Sequence, residues 1–363
     1  MNISKRGEAF AELISAIAPE TREEFSGYTG SLGAITLASL AKQKGVTLFL
    51  TGSVSRAKEI YKLVSVWLEK DSQRIICMLP ERESVYDQTA ADDELISDRL
   101  TALSADSRFG GLIIAPSCVL LERFFDPQKW LKSCFTIKSG DESDRDELIE
   151  KLIMLGYKRT NVVEEPATFA VRGSLLDLFP PDSQFPYRLD FFGDDLDSIK
   201  KFSIETQRTF EKCDSITVIP VNEYVSTPDE LNKLAERIES EVLKLDSRRG
   251  ALLSRKLEHF LTNPDSIDFK ELKPFVEKGY GFLWDYWENC RIIIDEKDQT
   301  LLSLEEFRKK LEDQYNQLGD LTPLRQPRHY YHEVNRVIEL LEEHKPISYS
   351  RFGEREDGIF KDI

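Results

Sequence analysis

The sequence predicts an α/β protein in which a parallel-sheet domain is interrupted by an α+β insertion and accompanied by a mostly helical part. Three observations support this fold class. Apolar strands alternate with helices in the first third, short segments broken by Gly and Pro follow, and helices dominate from Thr227 onward. A length of 363 residues suggests roughly two or three domains.

Three apolar strands open the α/β part. They are predicted at residues 46–51, 74–79 and 111–115, and each is followed by a Gly or a Pro. A helix with an apolar side is predicted over 93–103. Strands that are apolar throughout are typical of a parallel sheet covered on both faces. A fourth such strand, Arg291–Asp295, is expected to rejoin this sheet after the insertion.

The domain limits follow from changes in pattern. Residues 1–139 form the α/β domain, which the strand near 291–296 completes. Residues 140–225 read as an antiparallel β module with one helix, because short strands are punctuated by Gly and Pro. Residues 226–345 are predicted to be mostly helical. The tail from 346 to 363 has no periodicity and is interpreted as a linker.

Composition excludes several classes of function. The chain has 49 Lys and Arg against 65 Asp and Glu, a net charge of -16 and a pI near 4.9, which argues against a surface built to hold phosphates. No apolar run is long enough to span a membrane. The five cysteines are scattered and contain no Cys-x-x-Cys pair, so we expect a cytoplasmic protein without a metal site.

The first strand is followed by a segment where a phosphate-binding loop would lie. Such a loop needs a second Gly, then Lys and Ser or Thr, to hold the phosphates. These residues are missing, so no nucleotide cofactor is predicted. The segment consists of Thr51, Gly52, Ser53, Val54, Ser55 and Arg56.

Two acids follow the fourth strand. Asp295 and Glu296 resemble the acid that holds magnesium after an apolar strand in nucleotide-hydrolysing enzymes. The pattern alone is weak, and a core strand that ends in solvated carboxylates explains it equally well. Without a working phosphate loop we favour the second interpretation.

Blocks of specific order and spacing run through the middle of the chain. They are Gly156–Arg159, Val162–Pro166, Phe169–Pro180, Pro186–Phe192 and Glu205–Thr209. These blocks resemble the domain shared by the excision-repair protein UvrB and the transcription-repair coupling factor (Mfd) family. Flanking segments extend the resemblance to about residues 25–345; they are Pro80–Asp87, Ile96–Leu100 and Phe282–Tyr286.

Two departures favour the Mfd family over UvrB. The phosphate loop is degenerate, and Tyr86–Asp87 runs almost directly into the helix at Asp93, which leaves no room for the DNA-clamping hairpin of UvrB. The resemblance therefore implies an N-terminal UvrB-like region, with a degenerate P-loop NTPase-like domain and no ATPase activity, as an excised piece or a truncated gene product. In the full-length family protein, the resemblance implies, ATP and Mg are bound by a motor in the C-terminal domains. RNA polymerase and duplex DNA are likewise contacted through C-terminal domains.

The resemblance implies that the inserted module binds UvrA. Alternate residues of a strand share a face, so Phe185, Tyr187, Leu189 and Phe191 are predicted to face the core. Arg188 and Phe192 then share the outward face, and an exposed Arg and Phe are typical of interaction hot spots. Alternatively, Arg188 could pair with a carboxylate such as Asp190, and Phe192 could pack in a satellite core, which would explain both residues without a binding partner.

Three further arginines, of unequal weight, are candidates for the UvrA-binding surface. Arg172 is predicted to point outward from the neighbouring strand. Arg208 is a weaker candidate, because Gln207 and Arg208 could simply order the module, and Arg159 could simply be solvated. No catalytic or metal-binding residue is predicted.

Three function classes remain open at this stage. The favoured one is a protein-interaction module that recruits UvrA, and hence nucleotide excision repair, to RNA polymerase stalled at DNA damage. The alternative is a nucleotide- or DNA-binding UvrB-like repair enzyme module, which the acidic balance and the degenerate loop oppose. The third class is an inhibitory part that masks its own UvrA surface.

Overall fold

The computed structural model describes most of the chain. The described residues are 24–26, 30–68, 76–87, 93–105, 110–142, 144–193, 195–262, 269–276, 280–319 and 322–350.

Strands and helices are numbered here in chain order. The strands are β1 (Glu24–Ser26), β2 (Val46–Thr51), β3 (Ile76–Met78), β4 (Gly111–Pro116), β5 (Phe124–Phe125), β6 (Phe135–Lys138), β7 (Lys158–Arg159), β8 (Thr168–Arg172), β9 (Leu175–Phe179), β10 (Tyr187–Phe192), β11 (Asp195–Phe202), β12 (Thr209–Cys213), β13 (Ser215–Val218), β14 (Tyr280–Gly281), β15 (Arg291–Asp295) and β16 (Ile347–Ser350). The helices are α1 (Gly30–Ala41), α2 (Val54–Ser65), α3 (Asp93–Leu103), α4 (Pro127–Ser133), α5 (Arg145–Met154), α6 (Pro228–Val242), α7 (Ser247–Thr262), α8 (Phe269–Leu272), α9 (Lys297–Leu318) and α10 (Val334–Glu343).

A six-stranded parallel sheet forms the α/β domain, with the strand order β1-β16-β15-β2-β4-β3. The predicted return of the chain is confirmed, because β15 pairs in parallel with β2 and places Ile292 beside Leu48. The chain leaves this sheet after β4 and rejoins it at β15, and the α+β insertion lies between β4 and β15 in sequence.

Both faces of the parallel sheet are covered, as the apolar strands predicted. Within β2, Leu48 and Leu50 belong to a core on one face, whereas Phe49 belongs to a core on the other face. The first core also contains α3, α9 and α10, and the second contains α1 and α2. Side chains that alternate between two buried faces explain why every residue of β2 is buried, including Thr47 and Thr51.

The insertion is a second six-stranded sheet, β12-β11-β10-β9-β8-β7, with a separate core. One face of this sheet packs against α5, through Leu148 and Leu152, and against the ribbon formed by β6 and β13. Because β6 pairs with β13, the insertion begins near residue 135, earlier than the predicted limit at 140.

The region 226–345 is not one helical unit. Helices α6, α7 and α8 enclose a small core of their own, which includes Leu234, Ile238 and Phe260. Helices α9 and α10 instead contribute Leu304 and Val337 to the core of the parallel sheet. The predicted helical part is therefore divided between a helical subdomain and the α/β domain.

The predicted linker is wrong for its first residues. Ile347–Ser350 is strand β16, which pairs in parallel with both β15 and β1. Residues 351–363 of that prediction lie outside the described residues. Among the described residues, no helix has the length and apolar character needed to cross a membrane, and no cluster of three or more potential metal ligands is found.

Candidate partner-binding surface

Strand β10 has the predicted division between its two faces. Tyr187, Leu189 and Phe191 are buried in the core of the insertion, whereas Phe192 is 83% exposed. The alternative in which Phe192 fills a satellite core is therefore wrong. The prediction for Phe185 is also wrong, because this ring is exposed and packs edge to face on the exposed ring of Phe210. Phe185 precedes the strand, so the alternation does not extend to it.

A buried aspartate joins two of the predicted arginines. Asp177 lies on β9, directly beside Arg188 of β10, and only 1% of its side chain is exposed. Arg188 Nε donates to Asp177 Oδ1 at 2.7 Å, and its Nη2 donates to Oδ2 at 2.8 Å. Arg172 Nη2 donates to the same Oδ2 at 2.5 Å. The three side chains form a continuous group on the outward face of the sheet.

Arg188 is held on several sides. Its Nη1 donates to the backbone oxygen of Gln207 at 3.1 Å, and its guanidinium lies 4.7 Å from the ring centre of Phe202. Hydrogen bonding to Asp177 raises the pKa of Arg188 above its ordinary value. Only 18% of the side chain is exposed, so Arg188 is on the predicted face but is less accessible than predicted. Its partner is Asp177, on the neighbouring strand.

Arg172 and Phe192 are the accessible members of the predicted set. Arg172 keeps 43% of its side chain exposed despite its bond to Asp177. Phe192 ends β10 just before a turn at Gly193, whose φ of 64° suits glycine. Between them, Asp190 accepts a hydrogen bond from Ser174 Oγ at 3.3 Å. This part of the surface therefore combines a cation, a polar pair and an exposed aromatic ring.

Arg208 takes no part in the ion pairs of Asp177. Its side chain is exposed, and its backbone oxygen accepts a hydrogen bond from Ser203 N at 3.0 Å. Gln207, in contrast, has a left-handed φ of 56°, and its side-chain Nε2 donates to Ile204 O at 2.9 Å. Gln207 thus orders this turn and presents the oxygen that Arg188 contacts.

Sequence reasoning missed Asp177, Phe202 and the backbone oxygen of Gln207. The signal for Asp177 was present in Leu175–Phe179, because a lone acid within a fully apolar strand requires a buried partner. The contacts of Phe202 and Gln207 depend on the register of β10 and β11, which the sequence does not display.

Hydrogen bonds made by its own side chains hold the segment 51–56 in place. Ser53 caps α2, since its Oγ accepts from Arg56 N at 3.2 Å, and Thr51 Oγ1 donates to Ser53 O at 2.9 Å. Ser55 Oγ lies 3.1 Å from Ser53 Oγ, and Val54 begins the helix.

Arg56 contacts the acid that resembles a magnesium ligand. Arg56 Nε donates to Asp295 Oδ2 at 2.8 Å, its Nη2 lies 3.4 Å from Oδ1, and only 3% of the Asp295 side chain is exposed. Burial opposes the charged state of Arg56, but the hydrogen bond to Asp295 raises its pKa above the ordinary value. Asp295 is therefore a buried ion-pair partner, not the solvated carboxylate we predicted. Glu296 N donates to Tyr349 O at 2.7 Å.

The insertion is similar to a known domain family. A family model for the UvrB interaction domain matches residues 135–224, in agreement with the limit set by β6. The chain is 28% identical to the transcription-repair-coupling factor of Haemophilus influenzae over 336 residues, which is 87% of this chain and 27% of that protein. The Bacillus subtilis transcription-repair-coupling factor is 26% identical and covers 84% of this chain, again matched over 27% of the relative.

A UvrABC system protein B is also similar. The protein of Clostridium botulinum type F is 27% identical over 66% of this chain and 39% of that relative. The chain thus spans about a quarter of the length of the coupling factors that it matches. It is similar to the transcription-repair-coupling factors over most of its length, and its residues 135–224, which match the family model for the UvrB interaction domain, are called the interaction domain below.

Proposed function

We propose that the outward face of the interaction domain binds UvrA and thereby recruits nucleotide excision repair to RNA polymerase stalled at DNA damage. The observation that carries this proposal is the 83% exposure of Phe192 on the same face as the Arg172–Asp177–Arg188 group. A large aromatic ring left in water beside a partly exposed Arg is the composition of an interface centre. Homology to excision-repair proteins supports UvrA as the partner.

The residues of this surface have different roles in the proposal. Phe192 supplies apolar area that is removed from water on binding, and Arg172 offers the accessible part of its guanidinium to an acceptor on UvrA. Asp177 and Arg188 position Arg172, because both are largely buried and tied to the sheet. Arg208 is a peripheral contact in this scheme, since it is exposed but separate from the ion pairs.

The α/β domain serves as the support of this surface. We infer that it is a degenerate P-loop NTPase-like domain without ATPase activity, in which Arg56 neutralises Asp295. The translocase activity of the full-length coupling factor, with its ATP and Mg, would then reside in other domains, together with the contacts to RNA polymerase and duplex DNA. Cytoplasmic location is the expectation that goes with this role.

A nucleotide- or DNA-binding UvrB-like enzyme module is the alternative. The ion pair between Arg56 and Asp295 disfavours it, because a magnesium nucleotide would have to displace a partly buried guanidinium that hydrogen-bonds the carboxylate. The net charge of -16 also opposes binding to a polyanion.

The test is UvrA affinity measured together with thermal stability for Arg172→Ala and Phe192→Ala. Loss of a hot-spot side chain costs about 2 kcal/mol, or roughly thirtyfold in affinity. Melting temperatures should stay near that of the parent, because both side chains are accessible. Phe210→Ala, an exposed aromatic on edge strand β12, and Arg255→Ala, on α7 of the helical subdomain, are the matched controls and should bind UvrA normally. Parent-like affinity in both test variants would exclude this surface.

A further inference from the structure

A network of buried charges lies where the interaction domain joins the α/β domain. Arg99 of α3 is completely buried, and each of its five N–H donors has an acceptor. Its Nε donates to Glu223 Oε1 at 2.6 Å, and its Nη2 donates to Glu122 Oε2 at 2.8 Å. Pro80 O accepts from Nη1 at 2.6 Å.

Other cations complete this network. Arg82 Nη2 contacts Glu223 Oε1 at 2.8 Å, and its backbone N–H donates to Glu122 at 3.1 Å. Burial opposes ionisation of Glu223, but Arg82 and Arg99 hold its pKa well below the usual range. Lys273 is buried nearby, and burial followed by repulsion from Arg82 lowers its pKa to about 8. Glu223 is thus ionised, and cations surround it.

The members of the network come from different folding units. Glu223 lies at the end of the interaction domain, whereas Arg99 and Glu122 belong to the α/β domain. Helix α3 contacts the interaction domain a second time, because Ser97 Oγ donates to Pro181 O at 2.5 Å. Each unit has its own hydrophobic core, although Ile219 near the end of the interaction domain belongs to the core of the α/β domain. What the network adds is a fixed relation between the two units.

Apolar packing also joins the two units at the exit segment, where Ile219 is buried in the core of the parallel sheet. A cavity of about 760 Å³ lies between α4 of the α/β domain and α5 of the interaction domain. Its floor is apolar, with Phe135 and Leu148, and Met154 at its edge is 65% exposed. The cavity leaves space into which the interaction domain could turn if the charged contacts were released.

We propose that Arg99 and Glu223 form a latch that mounts the interaction domain on α3, so that the outward face keeps one direction relative to the parallel sheet. Ion pairs sealed from water have two states, closed with all partners satisfied or open with the groups hydrated, because a half-open state leaves a charge buried and unpaired. Contact by a partner on the interaction domain is then transmitted to the α/β domain and is not absorbed by a hinge. The latch is independent of which partner binds.

The test measures the distance between the two units in the full chain. Spin labels on non-natural residues at Lys58 of α2 and Lys212 of β12, both exposed, report this distance without using the native cysteines. The parent should give one narrow distribution. Glu223→Gln removes the charge and keeps the shape, and it should broaden the distribution about twofold, since weakly joined domains move by default.

Glu230→Gln is the matched control. Glu230 forms an ion pair with Lys129 close to the same connection, but both side chains are about a third or more exposed, so the distribution should stay narrow. UvrA affinity of Glu223→Gln should stay within about twofold of the parent, because the outward face is untouched. This result separates failure of the latch from failure of the proposed function.

A second measurement covers variants that fold poorly. Calorimetry of the parent should show one unfolding transition for both units, and Glu223→Gln should split it into two. If Glu223→Gln does not fold, Arg82→Gln makes the same comparison, because Arg82 is partly exposed and its loss leaves Arg99 paired. A narrow distribution and a single transition in whichever variant folds would overturn the latch, as would equal broadening in Glu230→Gln.

Discussion

Replacement of Asp177 by Ala tests whether this buried carboxylate holds Arg172 and Arg188 of the partner-binding surface in place. Asp177 is 1% exposed and accepts three hydrogen bonds from two guanidinium groups. Its removal leaves Arg188, with 18% of its side chain exposed, as an uncompensated and largely buried charge. Breaking a buried pair in this way costs about 3–5 kcal/mol of the free energy of unfolding.

The exposed fractions of Arg172 and Arg188 narrow the expected loss of free energy of unfolding in Asp177→Ala. Arg172 is 43% exposed and is rehydrated on loss of Asp177, so its share is at most about 1 kcal/mol. Arg188 keeps its bond to Gln207 O and its stacking on Phe202. We therefore expect the lower end of the range, about 3 kcal/mol off the free energy of unfolding. Urea unfolding curves measure this change directly.

The matched control is Asp190→Ala on the same face. Asp190 accepts a single hydrogen bond from Ser174 at 3.3 Å, so its loss should cost no more than about 0.5 kcal/mol. UvrA affinity should fall in Asp177→Ala, because Arg172 is no longer positioned. A cost below about 1 kcal/mol for Asp177→Ala would refute the argument that Asp177 holds the two arginines in place.

Four other outcomes are expected. Arg56→Ala should lower the free energy of unfolding by about 2–3 kcal/mol by leaving Asp295 unpaired, and Asp295→Asn in the same chain should recover part of the loss in urea unfolding. Titration calorimetry of the parent with millimolar Mg-ATP should show no binding heat, and ATP turnover would contradict this prediction. Duplex DNA should bind with a Kd weaker than roughly 10⁻⁴ M at physiological salt, and micromolar, lesion-selective binding would contradict that prediction. Burial lowers the pKa of His332 to about 4, so stability should fall as the pH drops from about 6.5 to 4, by at most about 3 kcal/mol, and His332→Gln should remove that part of the acid sensitivity.

The sequence predicted those parts of the fold that rest on local periodicity. The alternation along Tyr187–Phe192 correctly separated the buried side chains from Arg188 and Phe192, because a strand has a fixed period of two. The apolar run Arg291–Asp295 was correctly assigned to the first sheet. In both cases the residues themselves carry the pattern that the structure uses.

Pairings between distant residues could not be predicted in the same way. Strand β16 is only four residues long, and its burial comes from parallel pairing with β15, more than 50 residues earlier. The start of the interaction domain at 135 depends on β6 meeting β13, about 80 residues later. The bond between Arg188 and Asp177 likewise depends on the register between two strands. Such contacts are properties of the assembled sheet.

The pairing of β6 with β13 determines how the interaction domain is connected to the rest of the chain. The two strands are antiparallel, with Phe135 opposite Val218, so the chain enters and leaves the interaction domain at neighbouring points about 5 Å apart. For the α/β domain, the whole insertion is therefore equivalent to a short surface loop. The entropy cost of bringing the two ends of the insertion together is small. A module with such a two-stranded stem can be accepted by an unrelated exposed loop without stretching its host. Transplanting residues 135–224, which include the core residue Val221, into a surface hairpin of another protein should therefore leave both partners folded.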